Sequence, residues 1–503
     1  MNKLKLFRII ISIIIFVSFV LLFFGVFPSF FKFFAHIQLI PALINVFLNH
    51  TFIFVFLILL FLTFLFGRVY CSTICPFGIL QDIFIFFKYK FSKNKFFKTQ
   101  KNYKVFRYVF VSVLFIFFFF GNITFLSVFE PYSNFGRIIN ETIKPIAYFI
   151  NNLFVLIFQK FDLYFIKKAE THSFYAGSFI FAFLVFIIIG LLSFFKGRFF
   201  CNTLCPAGAI LGLISKFSIY KIKISNEQCV SCGLCAGVCK AGCIDFNNKT
   251  IDYEMCISCF NCMDGCKKNG IEYNFKLKED ETRRDFINKT IKGILFFVMA
   301  STPLKLLANS KIIKKKNPIV LPPGAQSLQN FNSKCISCHL CVAHCPTKVL
   351  TPTTYEYGFK NFLQPKMNYM QSYCLYDCNI CSTVCPTGAI KPISIAEKKL
   401  TQIGVAKFEM TNCVVYEKET DCGLCNEYCP TKAVILKPYK NGLGIPDIRE
   451  NICIGCGACE NVCPAQPNKA IYVEGNLKHK KASLPQGGKQ KRKRGQQINE
   501  FPF

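Results

Sequence analysis

Cysteine constrains this chain most: of 29 cysteines, 24 fall into six groups of four at short, recurring spacings. The first two are Cys229, Cys232, Cys235, Cys239 and Cys256, Cys259, Cys262, Cys266. The remaining groups are Cys335, Cys338, Cys341, Cys345; Cys374, Cys378, Cys381, Cys385; Cys413, Cys422, Cys425, Cys429; and Cys453, Cys456, Cys459, Cys463. Most follow C-x2-C-x2-C-x3-C, the ligand run of bacterial [4Fe–4S] ferredoxins. Two of the later groups are stretched at their first spacing, to x3 and x8, which is tolerable because only the folded positions of the thiolates matter. Zinc also takes four thiolates, but its motifs usually come as two separated C-x2-C pairs. A disulfide framework fits a small secreted chain better. The spacing predicts six [4Fe–4S] clusters.

In two-cluster ferredoxins the fourth cysteine of each run ligates the other cluster. That predicts the sets Cys229, Cys232, Cys235, Cys266 and Cys256, Cys259, Cys262, Cys239. For the four later groups, sequential and nested exchange both stay open. Their fourth cysteines precede Pro346, Pro386, Pro430 and Pro464, whereas Lys240 and Lys267 replace proline in the first two groups. Cys243 is surplus and is expected to be structural.

Apolar residues dominate the first 200 positions. Segments 9–27, 46–66, 105–128 and 174–195 are long enough to span a bilayer. Lys3, Lys5 and Arg8 precede the first, and the basic loop 88–104 follows the second, so both flanks belong on the cytoplasmic side. Segment 9–27 is too long for a secretory h-region and lacks a clear cleavage site. Segment 146–166 is broken by Asn151, Asn152, Gln159, Lys160 and Asp162 and reads as interfacial or re-entrant. The second and fourth spans end in one repeated phrase, GRVYCSTICPFGIL at Gly67 and GRFFCNTLCPAGAI at Gly197. An internal repeat at equivalent depth is a functional signal. It brings Cys71, Cys75, Cys201 and Cys205 to one face as a candidate redox or metal site, the alternative being four buried structural thiols.

Between the cysteine blocks, residues 282–308 read TRRDFINKTIKGILFFVMASTPLKLLA. Arg283 and Arg284, then Phe286, Ile287 and a short apolar run, have the layout of a twin-arginine export signal. Extended over 290–308, with Lys292 and Lys305 snorkelling, the stretch covers about 28 Å as a helix and serves as a fifth span. Lys311 and Lys314–Lys316 run against a simple positive-inside assignment. The expected organisation is a membrane domain (1–215), a cytoplasmic two-cluster domain (216–278), the internal signal and anchor (279–312), a periplasmic four-cluster domain (313–476) and a disordered basic tail (477–503). The fold class is multi-domain: an α-helical membrane domain of four spans plus a fifth, with two α+β ferredoxin-like [4Fe–4S] domains.

A formal charge of +32 raises nucleic acid as a partner. Much of the surplus flanks membrane segments or sits in the tail, where it sets topology or meets anionic lipid, so nucleic acid is not expected. Six histidines, among them His36, His50, His172, His339 and His344, are too scattered for haem. No Walker loop, dinucleotide fingerprint or nucleophile elbow is present.

On these residues, the first half, 1–274, resembles NapH: four spans, two C-x3-C-P motifs and a two-cluster domain. The second half, 282–474, resembles NapG, a twin-arginine signal followed by four cluster motifs. The order of parts is similar to a NapH–NapG fusion, and the membrane half is also similar to NosR/NosH–NosG-type proteins and to polyferredoxins of copper oxidase assembly. The resemblance implies a quinol dehydrogenase of the bacterial inner membrane. It would draw two electrons and two protons from each quinol of the quinone pool. The electrons would go to a periplasmic nitrate or nitrous oxide reductase, or to a c-type cytochrome. The internal signal is then a retained tether, the former N-terminus of a second protein. No sequence feature marks the quinol pocket or the electron path across the bilayer. The alternatives are a copper-handling assembly factor working through Cys71, Cys75, Cys201 and Cys205, and a ferredoxin-linked module with no export.

Overall fold

The structure, a computed structural model, describes residues 3–26, 28–49, 53–93, 96–100, 103–162, 164–165, 167–169, 175–225, 227–275 and 318–483. The expected export signal and fifth span at 282–308 lie outside these residues, as do His50, His172 and the tail beyond 483.

Apolar sequence becomes helix throughout the first 215 residues, the form that satisfies every backbone polar group within one segment. The long helices are Lys3–Phe24, Ile53–Phe66, Lys104–Phe119 and Ala176–Lys196. Their outer faces carry exposed large apolar side chains, among them Phe54, Phe61, Val105 and Ile188, a surface that suits lipid rather than water. By length and composition Lys3–Phe24, Pro131–Gln159 and Ala176–Lys196 can cross a membrane, and Ser29–His36 with Leu39–Leu48 forms a pair bent by 76°.

Three boundaries differ from the sequence expectation. Segment 46–66 does not begin as one rod: Asn45–Asn49 is a π-turn, and the straight helix covers Ile53–Phe66. The Asn45 side-chain amide donates to the Pro386 carbonyl at 2.7 Å, so this stretch is held by the second cysteine domain. Segment 105–128 breaks after Phe119 at Gly121, whose φ of 75° closes the helix as a left-handed glycine does. A new turn, Thr124–Phe129, then packs on Lys360 and Phe359. Segment 146–166, expected as an interfacial piece, belongs in part to a continuous helical stretch, Pro131–Gln159. That stretch contains a π-turn at Ile138–Ile143 just before Pro145, which has no N–H to donate back to residue 141.

The helices place the two cysteine domains at opposite ends of one unit. Near the start of Lys3–Phe24, Lys5 pairs with Asp264 at 2.6 Å. Near its end, the Phe23 carbonyl accepts from Lys144, which also donates to the Ala343 carbonyl, both at 3.1 Å. Lys5 and Phe23 are about 27 Å apart along the helix. Ala176–Lys196 runs the opposite way between the same two domains: near its start Phe181 packs edge-on against Phe362, and just past its end Arg198 N–H donates to the Lys240 carbonyl. Near the start of Lys104–Phe119, Arg107 pairs with Glu254 at 2.6 Å.

Each cysteine domain is built of small antiparallel ribbons. In the first, Tyr220–Ile224 pairs with Ile271–Phe275 and Ile244–Asp245 with Thr250–Ile251. In the second, Leu350–Pro352 pairs with Pro365–Met367, Val434–Pro438 with Gly444–Ile448, and Thr401–Phe408 with Ile471–Lys481. The last pairing corrects the tail boundary. Strand continues through Lys478 to Lys481 past a register shift after Gly475, because main-chain pairing is indifferent to lysines that point outward from an edge.

Candidate metal-cluster sites

The two early groups interleave. Cys239, Cys256, Cys259 and Cys262 line one cavity with Ile222, Ile257 and Phe260; Cys229, Cys232, Cys235 and Cys266 line another. This is the crosswise sharing expected from the spacing. In the later block Cys413, Cys422 and Cys425 share a cavity with Cys463. The Cys453, Cys456 and Cys459 thiols feel the charge of Cys429. Likewise Cys335, Cys338 and Cys341 face Cys385, and Cys374 and Cys381 face Cys345 and Cys378. Of the two open pairings, the geometry is the sequential one.

A backbone signature explains why short runs can point three thiols inward. In the four regular groups the residues two and four places after the first cysteine all have positive φ: Ser231 and Gly233, Ser258 and Phe260, Ser337 and His339, Gly455 and Gly457. Left-handed serine, phenylalanine and histidine are uncommon, so their recurrence marks a designed turn. The stretched groups lack it; Asn379 and Gly423 sit at φ −130° and −126°. Burial raises the thiol pKa to about 12 at Cys338 and Cys456 and to about 11 at Cys374. A thiolate at these positions therefore calls for metal cations beside it. Among the described residues no three His, Cys, Asp or Glu side chains converge tightly enough for a single ion. Runs of four thiolates at the ferredoxin spacing fit a polynuclear cluster better than zinc.

Two residues acquire roles that the spacing alone did not reveal. Cys243, expected to be structural, lines the same cavity as Cys239 and Cys256, with its sulfur 3.5 Å from that of Cys239. That hydrogen bond is the main reason the Cys239 thiol falls to about 7. Lys240, in the usual proline position, is buried and pairs with Asp82 at 3.0 Å. The turn after the fourth cysteine is where the helical unit docks, and Lys240 ties the two together through Asp82.

The two C-x3-C-P motifs are brought together as a near-symmetric pair. Each begins at a left-handed glycine, Gly67 (φ 77°) or Gly197 (φ 62°), and each Cys-Pro starts a helix with proline in its first turn. The arginines cross over: Arg68 donates to the Cys201 carbonyl at 3.0 Å and Arg198 to the Cys71 carbonyl at 3.2 Å. A Cβ on Gly78 or Gly208 would strike those same carbonyls. Cys71, Cys75, Cys201 and Cys205 are all buried, at 4–5% exposure.

At the far junction, His339 bridges Glu141 and the Leu363 carbonyl, both at 2.8 Å. An acid within an apolar stretch was the available signal, but its partner lies 198 residues away.

Family models match two other parts of the chain and most of the later cysteine block. A model described as a 4Fe-4S binding domain matches residues 48–94 and 178–225, the two C-x3-C-P segments, and a 4Fe-4S dicluster domain model matches 334–389 and 420–466. The chain is 31% identical over 157 residues to the methylamine utilization ferredoxin-type protein MauM of Methylobacillus flagellatus, covering 29% of this chain and 64% of that protein. It is 23% identical over 160 residues to the ferredoxin-type protein NapF of Escherichia coli K12, covering 32% of this chain and 89% of NapF. To the ferredoxin-type protein NapG of Haemophilus influenzae it is 25% identical over 201 residues, covering 36% of this chain and 67% of NapG. The chain spans just under two thirds of the MauM proteins of Methylobacillus flagellatus and Methylophilus methylotrophus, 64% and 66%. No solved structure matches. The chain thus carries segments that match 4Fe-4S binding models and is similar to ferredoxin-type proteins of the Nap and Mau groups.

Proposed function

We propose that this chain oxidises quinol in the bacterial inner membrane and conducts the electrons to a redox partner on the periplasmic side, a nitrate or nitrous oxide reductase or a c-type cytochrome. One observation carries the reading: two cysteine domains face each other across an apolar helical unit, held at its two ends by Lys5–Asp264 and by Lys144–Ala343. The lysine-bearing N-terminus lies beside the 229–266 domain, and the positive-inside rule then favours the cytoplasm for that end. The opposite end, with the 335–463 cysteines, falls on the periplasmic side, in keeping with the twin-arginine phrase at Arg283 and Arg284.

The chain's residues fit six [4Fe–4S] clusters, held by the sets Cys229/232/235/266, Cys256/259/262/239, Cys335/338/341/385, Cys374/378/381/345, Cys413/422/425/463 and Cys453/456/459/429. Such clusters supply one-electron chemistry over a wide range of potentials. The protein's part is to space the sets, exclude water with Ile222, Ile257 and Phe260, and tune each sulfur by hydrogen bonds and charge. At the membrane edge of the Cys335 set, Arg137, Asn140 and Glu141 are buried, and the Arg137 Nε and Asn140 Oδ1 atoms have no hydrogen-bond partner among the described residues. Polar atoms of that kind suit the hydroxyls of a bound quinol, and His339 holds Glu141 in place beside them.

In intact spheroplasts, external protease should cut the 318–483 domain and spare 216–275. Protection of both domains would overturn the cross-membrane reading. The purified protein should also be reduced by a menaquinol analogue; full cluster content without any reduction would overturn quinol oxidation.

A further inference from the structure

We propose that Cys71, Cys75, Cys201 and Cys205 hold an iron–sulfur cluster beyond the six, set between Arg68 and Arg198 as a relay between the two cysteine domains. The binding part stands on its own observations; the relay role rests on the cross-membrane reading above.

Charge is the first argument. Arg68 is fully buried, and its partners are the Asn202 side-chain carbonyl, the Glu254 and Cys201 backbone carbonyls and, at 3.8 Å, the Cys71 sulfur. None is a carboxylate. Close by, Arg8, Arg198 and Lys240 all converge on the single carboxylate of Asp82, at 3.2, 2.8 and 3.0 Å. Three buried cations thus share the Asp82 carboxylate while Arg68 pairs with no carboxylate, an excess that an interior of low polarity does not hold uncompensated. A cluster with four thiolate ligands is an anion. Bound among these sulfurs it balances the arginines, while the arginines favour its reduced form.

Connection is the second. The repeat phrase, Gly-Arg-x-x-Cys-x3-Cys-Pro, gives each motif one arginine that reaches across to the other, so the four sulfurs belong to one assembly. Asn202 and Gln81 add amide groups, with Gln81 Nε2 3.3 Å from the Cys201 sulfur. A 4Fe-4S binding-domain model matches both segments, which contain no other cysteines.

Position is the third. Arg68 feels the charge of Cys71 and Cys201 and also meets the backbone of Glu254, two residues from Cys256, so the site adjoins the Cys256/259/262/239 set. Ser12 donates to the Ser72 carbonyl at 3.0 Å, which sets the motif about 10 Å along the first helix from Lys5 and about 16 Å from Phe23. Toward the other side, Tyr70 bonds Gln38 and Leu39, and the Leu39–Ile44 helix leads to Asn45 and its bond to Pro386, beside Cys385. The site breaks the long gap between the two domains into two shorter steps. Each passage adds one electron to the centre and removes one, with no bond made or broken.

The test is metal and sulfide analysis of the full chain, purified without oxygen, for the wild type and Cys201→Ala. The variant should lose about four iron and four sulfide per chain, with the signals of the other centres unchanged. Unchanged iron, or loss of copper or zinc instead, overturns the site. Because Cys201→Ala could misfold, Arg68→Gln provides a second arm that keeps every cysteine. It should move one centre to a more negative potential, and Arg68→Lys should restore most of the shift; no potential change in Arg68→Gln overturns the proposal. Iron loss in a protein whose two domains prove to lie on one side of the membrane would keep the site and remove only the relay across it.

Discussion

A thiol that touches a ligand sulfur without being needed as a ligand can still set a potential. Cys243 lies 3.5 Å from Cys239, and a hydrogen bond to a ligand sulfur stabilises the more negative, reduced state. One net hydrogen bond of about 1 kcal/mol corresponds to ~40 mV for one electron. Cys243→Ala should therefore leave iron content unchanged and lower the potential of the Cys256/259/262/239 centre by about that much in a redox titration. His479 shows how burial reads out in pH. It is desolvated, its ring nitrogens have no hydrogen-bond partner among the described residues, and its pKa falls to about 4. A histidine whose folded pKa lies below its unfolded value contributes its full stability above about 6.5 and loses it as pH falls toward 4. After discounting for partial exposure, about 2 kcal/mol is at stake. Thermal melts between pH 7 and 4 should show His479→Phe losing less stability on acidification than the wild type.

At the scale of elements, glycine marks the docking joint. Gly136 lies on the helical stretch where a Cβ would meet both the Cys338 carbonyl and the Phe23 ring. Gly136→Ala should overpack this contact at about 1–3 kcal/mol. Faster amide exchange in 335–345, with the 229–266 domain unaffected, would show it. The legible parts of the fold and those that stayed hidden separate at such joints. Crosswise sharing between Cys239 and Cys266 followed from spacing, because local turns dictate where neighbouring thiols point. The four helices followed from apolar runs, since a bilayer allows few other forms. Lys240 did not declare itself, because its role depends on Asp82, brought near only by the assembled fold, and Cys243 did not because nothing in the spacing turns a fifth thiol toward Cys239. The break at Gly121 and the π-turn before Pro145 were signalled locally, but the apolar pattern around them reads as continuous helix. The strand through Lys481 was masked by its charge, which governs side-chain exposure and not main-chain pairing.

For the whole molecule, the contacts between the helical unit and the 318–483 domain bear on whether the two parts need a covalent link. That domain is held by Asn45 on Pro386, Thr124 on Lys360, Lys144 on Ala343 and Glu141 on His339. All four lie outside the central segment 276–317, so the joint does not depend on that segment being intact. Two separate chains carrying these contacts should then still find each other. Expressed as two polypeptides, 1–278 and 313–503, with the export signal kept on the second, the pieces should co-purify from the membrane. The Glu141–His339 contact is buried, so removing the carboxylate strands the imidazole at a cost of about 2–5 kcal/mol, or more than tenfold in affinity. Lys144→Met in the first piece strands no charge but removes two hydrogen bonds, and should weaken the complex only modestly. Glu141→Leu, which strands His339, should weaken it much more. Equal behaviour of the two variants in a pull-down titration would mean that apolar packing around Phe23 and Phe362, rather than the polar contacts, holds the domains together.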